Sequence, residues 1–332
     1  MDKIIRVNLT EEKITVEPVP GEHRLSGGRG LSAQLVTAEV PPEADPMGLN
    51  NKLFIAPGLF AGTAMSSASR LSIGAKSPLT GGIKESNAGG TAAANLARLG
   101  IKAIIVEGET GPGELRCLYL GRDKAELHPF ARSRTGTYEA ARLLREKYSG
   151  RVSLILVGPA GEMGLAAAGI AVTDPRGRPA RFCGRGGLGA VMGGKGLKAV
   201  VVDPEGAPRP GYADRAAFLE TTRELVRLLR ETPQTGEIYP LYGTAIMVEQ
   251  TNAMHALPTR NFSSGSFEGA SAIDGESMRR LIEQRGGAGN TTHACMPGCV
   301  INCSNIFPDA AGKEIVSPLE YETIGLLGSN CA

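Results

Sequence analysis

Alternation of apolar and polar positions opens the chain. Ile5, Val7 and Leu9 lie on one side of an extended segment, Ile14 and Val16 on one side of a second, with Thr10-Glu11-Glu12-Lys13 between them. Period-two spacing across a short polar link predicts a β-hairpin. After Gly27-Gly28-Arg29-Gly30, apolar positions at helical spacing predict a helix over 31–39 that Pro41-Pro42 ends. Leu53-Phe54-Ile55-Ala56 is apolar throughout, as a strand covered on both faces would be, and Pro57-Gly58 closes it. Ala92, Ala93, Leu96 and Leu99, followed by Gly100, predict a helix after Gly89-Gly90-Thr91. Further strands are expected over 103–106, 115–120, 125–130, 152–157 and 197–202, a helix over 138–148, and a turn at 159–162 before the apolar run 166–172.

Two stretches break this pattern. Residues 63–90 are dense in Ser, Gly, Ala and Thr, hold few bulky apolar residues, and carry Arg70, Lys76, Lys84 and Asn87. Strands flank the stretch closely and Leu71-Ser72-Ile73-Gly74 still alternates, so it reads as backbone shaped around a ligand, not as a linker. The second is the loop Arg181-Phe182-Cys183-Gly184-Arg185-Gly186-Gly187-Leu188-Gly189. Beyond 204–210 the character changes, and amphipathic helices are expected over 213–230 and 277–284. The fold class is α+β, with one domain over 1–205 and the start of a mainly α-helical domain over 211–332.

The 332 residues carry a formal net charge of +2, which gives no electrostatic basis for binding nucleic acid or an anionic membrane surface. No apolar run is long enough to span a bilayer. Met1-Asp2-Lys3-Ile4-Ile5-Arg6-Val7 lacks the features of a signal peptide, so cytoplasm is the expected location. Of six cysteines, Cys117, Cys183 and Cys331 are scattered, which argues against a secreted disulfide framework. The 45 glycines imply many sharp turns or close backbone approaches.

The other three cysteines, in His293-Ala294-Cys295-Met296-Pro297-Gly298-Cys299-Val300-Ile301-Asn302-Cys303, recur every fourth residue. On a helix or helical loop Cys295, Cys299 and Cys303 would turn their sulfurs to one face and share an inorganic core. Soft thiolates suit an iron–sulfur cluster or zinc. Zinc fits less well, because its sites pair two-residue spacings and His293 stands too close to Cys295. Three free core cysteines are the bland alternative.

Gly184-x-Gly186-x-x-Gly189, with Asp203 nineteen residues past Gly184, also spells a dinucleotide fingerprint. That motif needs a buried strand before it and a full helix after it, whereas 178–183 is basic and 190–196 is short and glycine-broken. Turn glycines remain one reading, and a phosphate-bearing cofactor of another kind is the favoured one. Arg181 and Arg185 beside exposed backbone N–H groups suit phosphate, and Asn87-Ala88-Gly89-Gly90 at a helix start offers a second anion site.

Gly28-Arg29-Gly30, Arg70-Leu71-Ser72, Lys76-Ser77-Pro78-Leu79-Thr80-Gly81, Glu85-Ser86-Asn87-Ala88-Gly89-Gly90, Gly184 to Gly193 and Leu197-Lys198-Ala199, in order ahead of the cysteines, together resemble the tungsten-containing aldehyde ferredoxin oxidoreductase family. The resemblance implies a two-sheet amino-terminal domain cradling a tungsten (or molybdenum) bis-pterin, and helical domains carrying a [4Fe–4S] cluster. It implies that Arg70, Asn87, Gly89, Arg181, Phe182, Gly184 and Arg185 line the pterins. The carbonyls of Asn87 and Phe182 would bind a magnesium that bridges the pterin phosphates. It further implies oxidation of an aldehyde to a carboxylate, with electrons passing to ferredoxin or another iron–sulfur acceptor, and a homodimer at full length. Glu322 falls where the family places a carboxylate near the substrate, which gives it a proton-transfer role; a helix-surface glutamate is the alternative.

Two departures stand out. The family members spaced C-x2-C differ from this chain, where three residues separate Cys295 and Cys299. Members also run well past this length, so 211–332 reads as a truncated helical iron–sulfur domain whose fourth cluster ligand lies outside it, with Cys331 as a local alternative. Rival readings are a related tungstoenzyme that reduces an aromatic thioester or takes another aldehyde-like substrate, a radical S-adenosylmethionine enzyme, which the third cysteine spacing opposes, and an inactive fragment or electron-transfer scaffold.

Overall fold

The computed structural model describes residues 2–332, which form two compact units divided between Arg215 and Ala216. The first unit runs β1 (Lys3–Asn8), β2 (Lys13–Pro18), α1 (Gly28–Glu39), β3 (Leu53–Pro57), β4 (Leu71–Lys76), β5 (Ile83–Ala88), α2 (Ala92–Arg98), β6 (Ile101–Glu107), β7 (Arg116–Leu120), β8 (Ala125–Pro129), α3 (Thr137–Lys147), β9 (Ser153–Leu156), α4 (Pro159–Glu162), β10 (Ile170–Val172), β11 (Arg181–Cys183), α5 (Leu188–Gly194) and β12 (Leu197–Val202). These strands make two six-stranded sheets, ordered β2-β1-β6-β3-β4-β5 and β11-β10-β9-β12-β7-β8. Parallel pairing occurs between β1 and β6 and between β7 and β12.

Period-two alternation sorts the apolar residues into layers. Ile5, Val7, Ile55, Ile73, Ile104 and Val106 of the first sheet share a core with Leu118, Leu120, Ile155, Val172, Val200 and Val202 of the second. Ala92, Ala93 and Leu96 of α2 and Leu188, Val191 and Met192 of α5 fill the same core. The intervening residues face outward: Ile4, Phe54, Ala103 and Ile105 pack on Leu31, Leu35 and Val36 of α1, while Tyr119, Leu154, Leu156 and Val201 pack on Ala140, Ala141 and Leu144 of α3. Each fully buried aliphatic side chain contributes roughly 2 kcal/mol, so strands covered on both faces anchor the unit.

The second unit is largely helical: α6 (Arg215–Glu231), α7 (Tyr239–Tyr242), α8 (Met247–Ala253), α9 (Gly275–Arg285) and α10 (Tyr321–Leu327). Asp274 caps α9 by accepting the Ser277 N–H at 2.7 Å. Val248, Leu257, Met278, Ile282 and Ile324 form its core. A three-stranded sheet, β13 (Asn290–His293), β14 (Ser304–Pro308) and β15 (Glu314–Val316), was absent from the sequence expectation. It corrects the reading of the cysteine stretch, because 294–303 is an irregular loop joining antiparallel β13 and β14 and contains no helix. Among the described residues no helix is long and apolar enough to cross a membrane.

Candidate functional site

The edge strands of the two sheets, β5 and β11, meet along a seam. The Arg185 N–H, just after β11, donates to Ser86 Oγ of β5 at 3.0 Å, and the buried Ser77 hydroxyl donates to Gly186 O at 2.7 Å. Ser77 Oγ also accepts the N–H groups of Leu79 and Thr80 at 3.1 and 3.2 Å, which fixes the loop between β4 and β5. At the far end the Thr91 N–H donates to Thr173 O at 2.9 Å. Gly90 has φ +97°, and a Cβ there would stand 2.6 Å from that same carbonyl, so only glycine fits.

Seven residues named from the sequence fall on or beside this seam. Arg70, exposed at the start of β4, donates from Nε to Asn87 Oδ1, and Asn87 Nδ2 donates to Ser72 Oγ at 3.0 Å. Gly89 follows β5 and is buried. Arg181, Phe182, Gly184 and Arg185 lie on β11 and the loop after it; Arg181 is buried, while Gly184, Arg185 and the 51% exposed Phe182 are open to solvent. Chain segments about a hundred residues apart thus bring Arg70, Asn87 and the backbone of the Arg185 loop onto β5 and its immediate neighbours.

The glycine loop is not a dinucleotide turn. β11 is antiparallel to β10, β10 to β9, and β9 to β12, so β11 and β12 run in opposite directions and α5 makes no parallel crossover between them. The glycines divide by role. Gly187 has φ +68°, and a Cβ there would fall 1.9 Å from Ala166 O; Gly189 would meet Gly169 O at 2.4 Å. Both are demanded by packing. Gly184 is open, with nothing closer to its Cβ position than Phe182 Cβ at 4.0 Å.

In the second unit, Cys295, Cys299 and Cys303 share the β13–β14 loop. Burial pushes the Cys303 thiol up to about 12, and the nearby charges of Glu320, Cys295 and Cys299 push in the same direction. Among the described residues, no three His, Cys, Asp or Glu side chains converge as a cage for a single metal ion. His293 Nδ1 lies 3.0 Å from Ala294 O, and Nε2 lies 3.2 Å from both Asn305 O and Ser317 Oγ, so its ring is engaged within the fold. Cys331 is exposed, with Sγ donating to Leu326 O at 3.2 Å. Glu322 is exposed in the first turn of α10.

Residues 4–204 match the aldehyde ferredoxin oxidoreductase N-terminal domain, and residues 220–332 match aldehyde ferredoxin oxidoreductase domains 2 and 3. The chain belongs to the aldehyde ferredoxin oxidoreductase family. The tungsten-containing aldehyde ferredoxin oxidoreductase of Thermococcus kodakarensis is 36% identical over 334 residues, covering 99% of this chain and 52% of that protein. Its namesake from Pyrococcus horikoshii is 35% identical over the same shares. The chain spans about half the length of these curated relatives. A solved structure, the active site complex BamBC of benzoyl coenzyme A reductase with 1,5-dienoyl-CoA, matches with a TM-score of 0.74 and 25% identity, covering 92% of this chain and 46% of that one.

A tungsten-containing family implies a tungsten–pterin cofactor, and the seam suits such a ligand. Its arginines and backbone N–H groups are donors for phosphate. Glu85, on β5, keeps one buried oxygen, Oε1, with no hydrogen-bond partner in the protein. Ser77, Ser86 and Glu85 are seam residues that the sequence reading quoted inside motifs without assigning them a role. The polar pattern of β5 was the available signal: Lys84-Glu85-Ser86-Asn87 has too many polar groups for an ordinary strand.

Proposed function

We propose that this chain carries the pterin-phosphate cradle of an oxidoreductase that converts an aldehyde to a carboxylic acid at a tungsten (or molybdenum) bis-pterin centre. The observation that carries this reading is the convergence of Arg70, Asn87 and the Arg185 loop on one seam. The bound metal supplies two-electron redox chemistry at low potential. In that reading Arg70 and Arg185 would neutralise phosphate, Arg181 and the backbone around Gly184 and Gly89 would position it, and the carbonyls of Asn87 and Phe182 would hold a magnesium ion that adds positive charge there. Water provides the oxygen gained by the aldehyde, and Glu322 takes a proton at its carboxylate as that water is consumed. Cys295, Cys299 and Cys303 would hold a [4Fe–4S] cluster, whose one-electron chemistry would suit ferredoxin as the acceptor.

The likeness to the benzoyl coenzyme A reductase complex favours a second reading, in which the same cradle serves reduction of an aromatic thioester. Purification under anaerobic conditions, with elemental analysis for tungsten, molybdenum and iron and fluorescence of oxidatively released pterin, tests the cofactor. Viologen-linked assays with aldehydes and with aromatic coenzyme A thioesters then separate the two reactions. Metal and pterin with aldehyde turnover support the first reading. Their absence from anaerobically prepared protein overturns both.

A further inference from the structure

Glu85 is a carboxylate on β5, the edge strand of the seam, and its two oxygens are unequal. Oε2 accepts from Arg29 Nε at 3.0 Å, whereas Oε1 is buried and has no hydrogen-bond partner in the protein. The side chain is only 10% exposed, while that of its partner Arg29 is 77% exposed. Leaving an ionised acceptor buried and unmatched is costly, so such groups call for a ligand or an ordered water.

Position narrows the choice. Glu85 and Asn87 are two apart on β5 and therefore share a strand face. That face looks toward the start of α1, because Arg29 bonds Glu85 and the Asn87 partner Ser72 Oγ lies 3.4 Å from the Cβ position of Gly28. Glu85 also lies within charge range of β11: the Cys183 thiol is pushed up by burial first and by Glu85 second. The unmatched oxygen thus belongs to the same strand face as Asn87, whose Oδ1 accepts from Arg70. A phosphate alone would be repelled by it. A ligand that joins a phosphate to a heterocycle rich in N–H groups satisfies both the arginines and the carboxylate.

We propose that Glu85 is a pterin-positioning residue: Oε1 accepts an N–H from the amino-pyrimidinone edge of a pterin, while Oε2 is satisfied by the exposed Arg29. The inference rests on the pterin reading and adds the group that orients the ring, where the arginines only hold its charge. Glu85→Gln keeps the shape of the side chain but replaces a charged acceptor with a weaker amide. Arg29→Ala breaks the ion pair and leaves both carboxylate oxygens.

The test counts oxidatively released pterin by fluorescence, per mole of folded protein, after anaerobic gel filtration of the parent and both variants. Glu85→Gln is expected to retain about tenfold less pterin with an unchanged melting temperature, and Arg29→Ala to retain most of it. Full retention by Glu85→Gln overturns the proposal. Equal loss in Arg29→Ala and Glu85→Gln also overturns it, because the ion pair and not the acceptor would then matter. If Glu85→Gln fails to fold, Glu85→Asp, which withdraws the carboxylate along the same direction, should fold and lose pterin; unchanged pterin there overturns the proposal. A parent protein without pterin refutes the cradle itself, a result distinct from any of these.

Discussion

The backbone N–H of Arg185 donates to Ser86 Oγ at 3.0 Å, fastening the loop after β11 to β5 across ninety-nine positions of sequence. Ser86 is 3% exposed, so no bulk water stands ready to replace its hydroxyl. Ser86→Ala should cost about 1 kcal/mol of unfolding free energy in urea and loosen the Arg185 loop. Hydrogen exchange at the loop amides reads that loosening, and unchanged protection would show that the bond does not hold the seam.

The glycines of the loop should separate by experiment as they do by geometry. Gly187→Ala places a methyl group against Ala166 O at a positive φ and should destabilise the protein by on the order of 3 kcal/mol. Gly184→Ala meets open space and should stay within about 0.5 kcal/mol of the parent while lowering pterin retention. Equal stability losses in the two variants would refute the division.

Most of the first unit could be read from the sequence, for a physical reason. β3, β6 and β12 are buried on both faces, β3 as an unbroken apolar run and β6 and β12 broken only by the buried Lys102 and Lys198, and β1 alternates because Ile5 and Val7 enter one core while Ile4 enters another. The strands that build the seam were the ones missed. β5 carries Lys84, Glu85, Ser86 and Asn87, and β11 is three residues long with Arg181 and an exposed Phe182, so neither shows the apolar signal of a core strand. Surfaces shaped around a ligand depart from the local pattern, which is why 63–90 stood out without yielding its strands. β13 was hidden likewise, since Asn290-Thr291-Thr292-His293 is polar throughout. The cysteine spacing suggested a helix, but Pro297 and Gly298, with φ +75° at the glycine, turn the chain into a loop.

Lys195 gives a pH dependence of known sign. Burial pushes its ammonium down to about 8 from the ordinary 10.5, against the opposing pull of Glu109 and Glu107. Between those two values the unfolded chain binds the proton and the folded chain does not, so this group's contribution to stability rises with pH over that window and is lost as pH falls through about 8. The difference in unfolding free energy between parent and Lys195→Met should therefore move in favour of the parent, by on the order of 2 kcal/mol, from pH 7 to 10. A flat difference would mean that Lys195 keeps an ordinary affinity for its proton.

Cys295→Ser, Cys299→Ser and Cys303→Ser should each lower iron content and remove the paramagnetic signal of the dithionite-reduced protein after anaerobic reconstitution. Cys331, exposed and donating to Leu326 O, should be dispensable, so Cys331→Ala should leave iron and signal unchanged. Full iron in Cys299→Ser would remove the cluster from this loop, and loss of iron in Cys331→Ala would identify it as the local fourth ligand.

Pterin content of Arg70→Ala and Arg185→Ala tests the seam most directly, measured anaerobically per mole of folded protein beside Arg227→Ala, whose guanidinium pairs with Glu224 and Glu231 on exposed α6. Loss of one charged contact to phosphate should reduce retained pterin about tenfold in each seam variant and leave the α6 variant at the parent level. Parent levels of pterin in folded Arg70→Ala and Arg185→Ala would show that the seam between the two sheets is not where the cofactor is held.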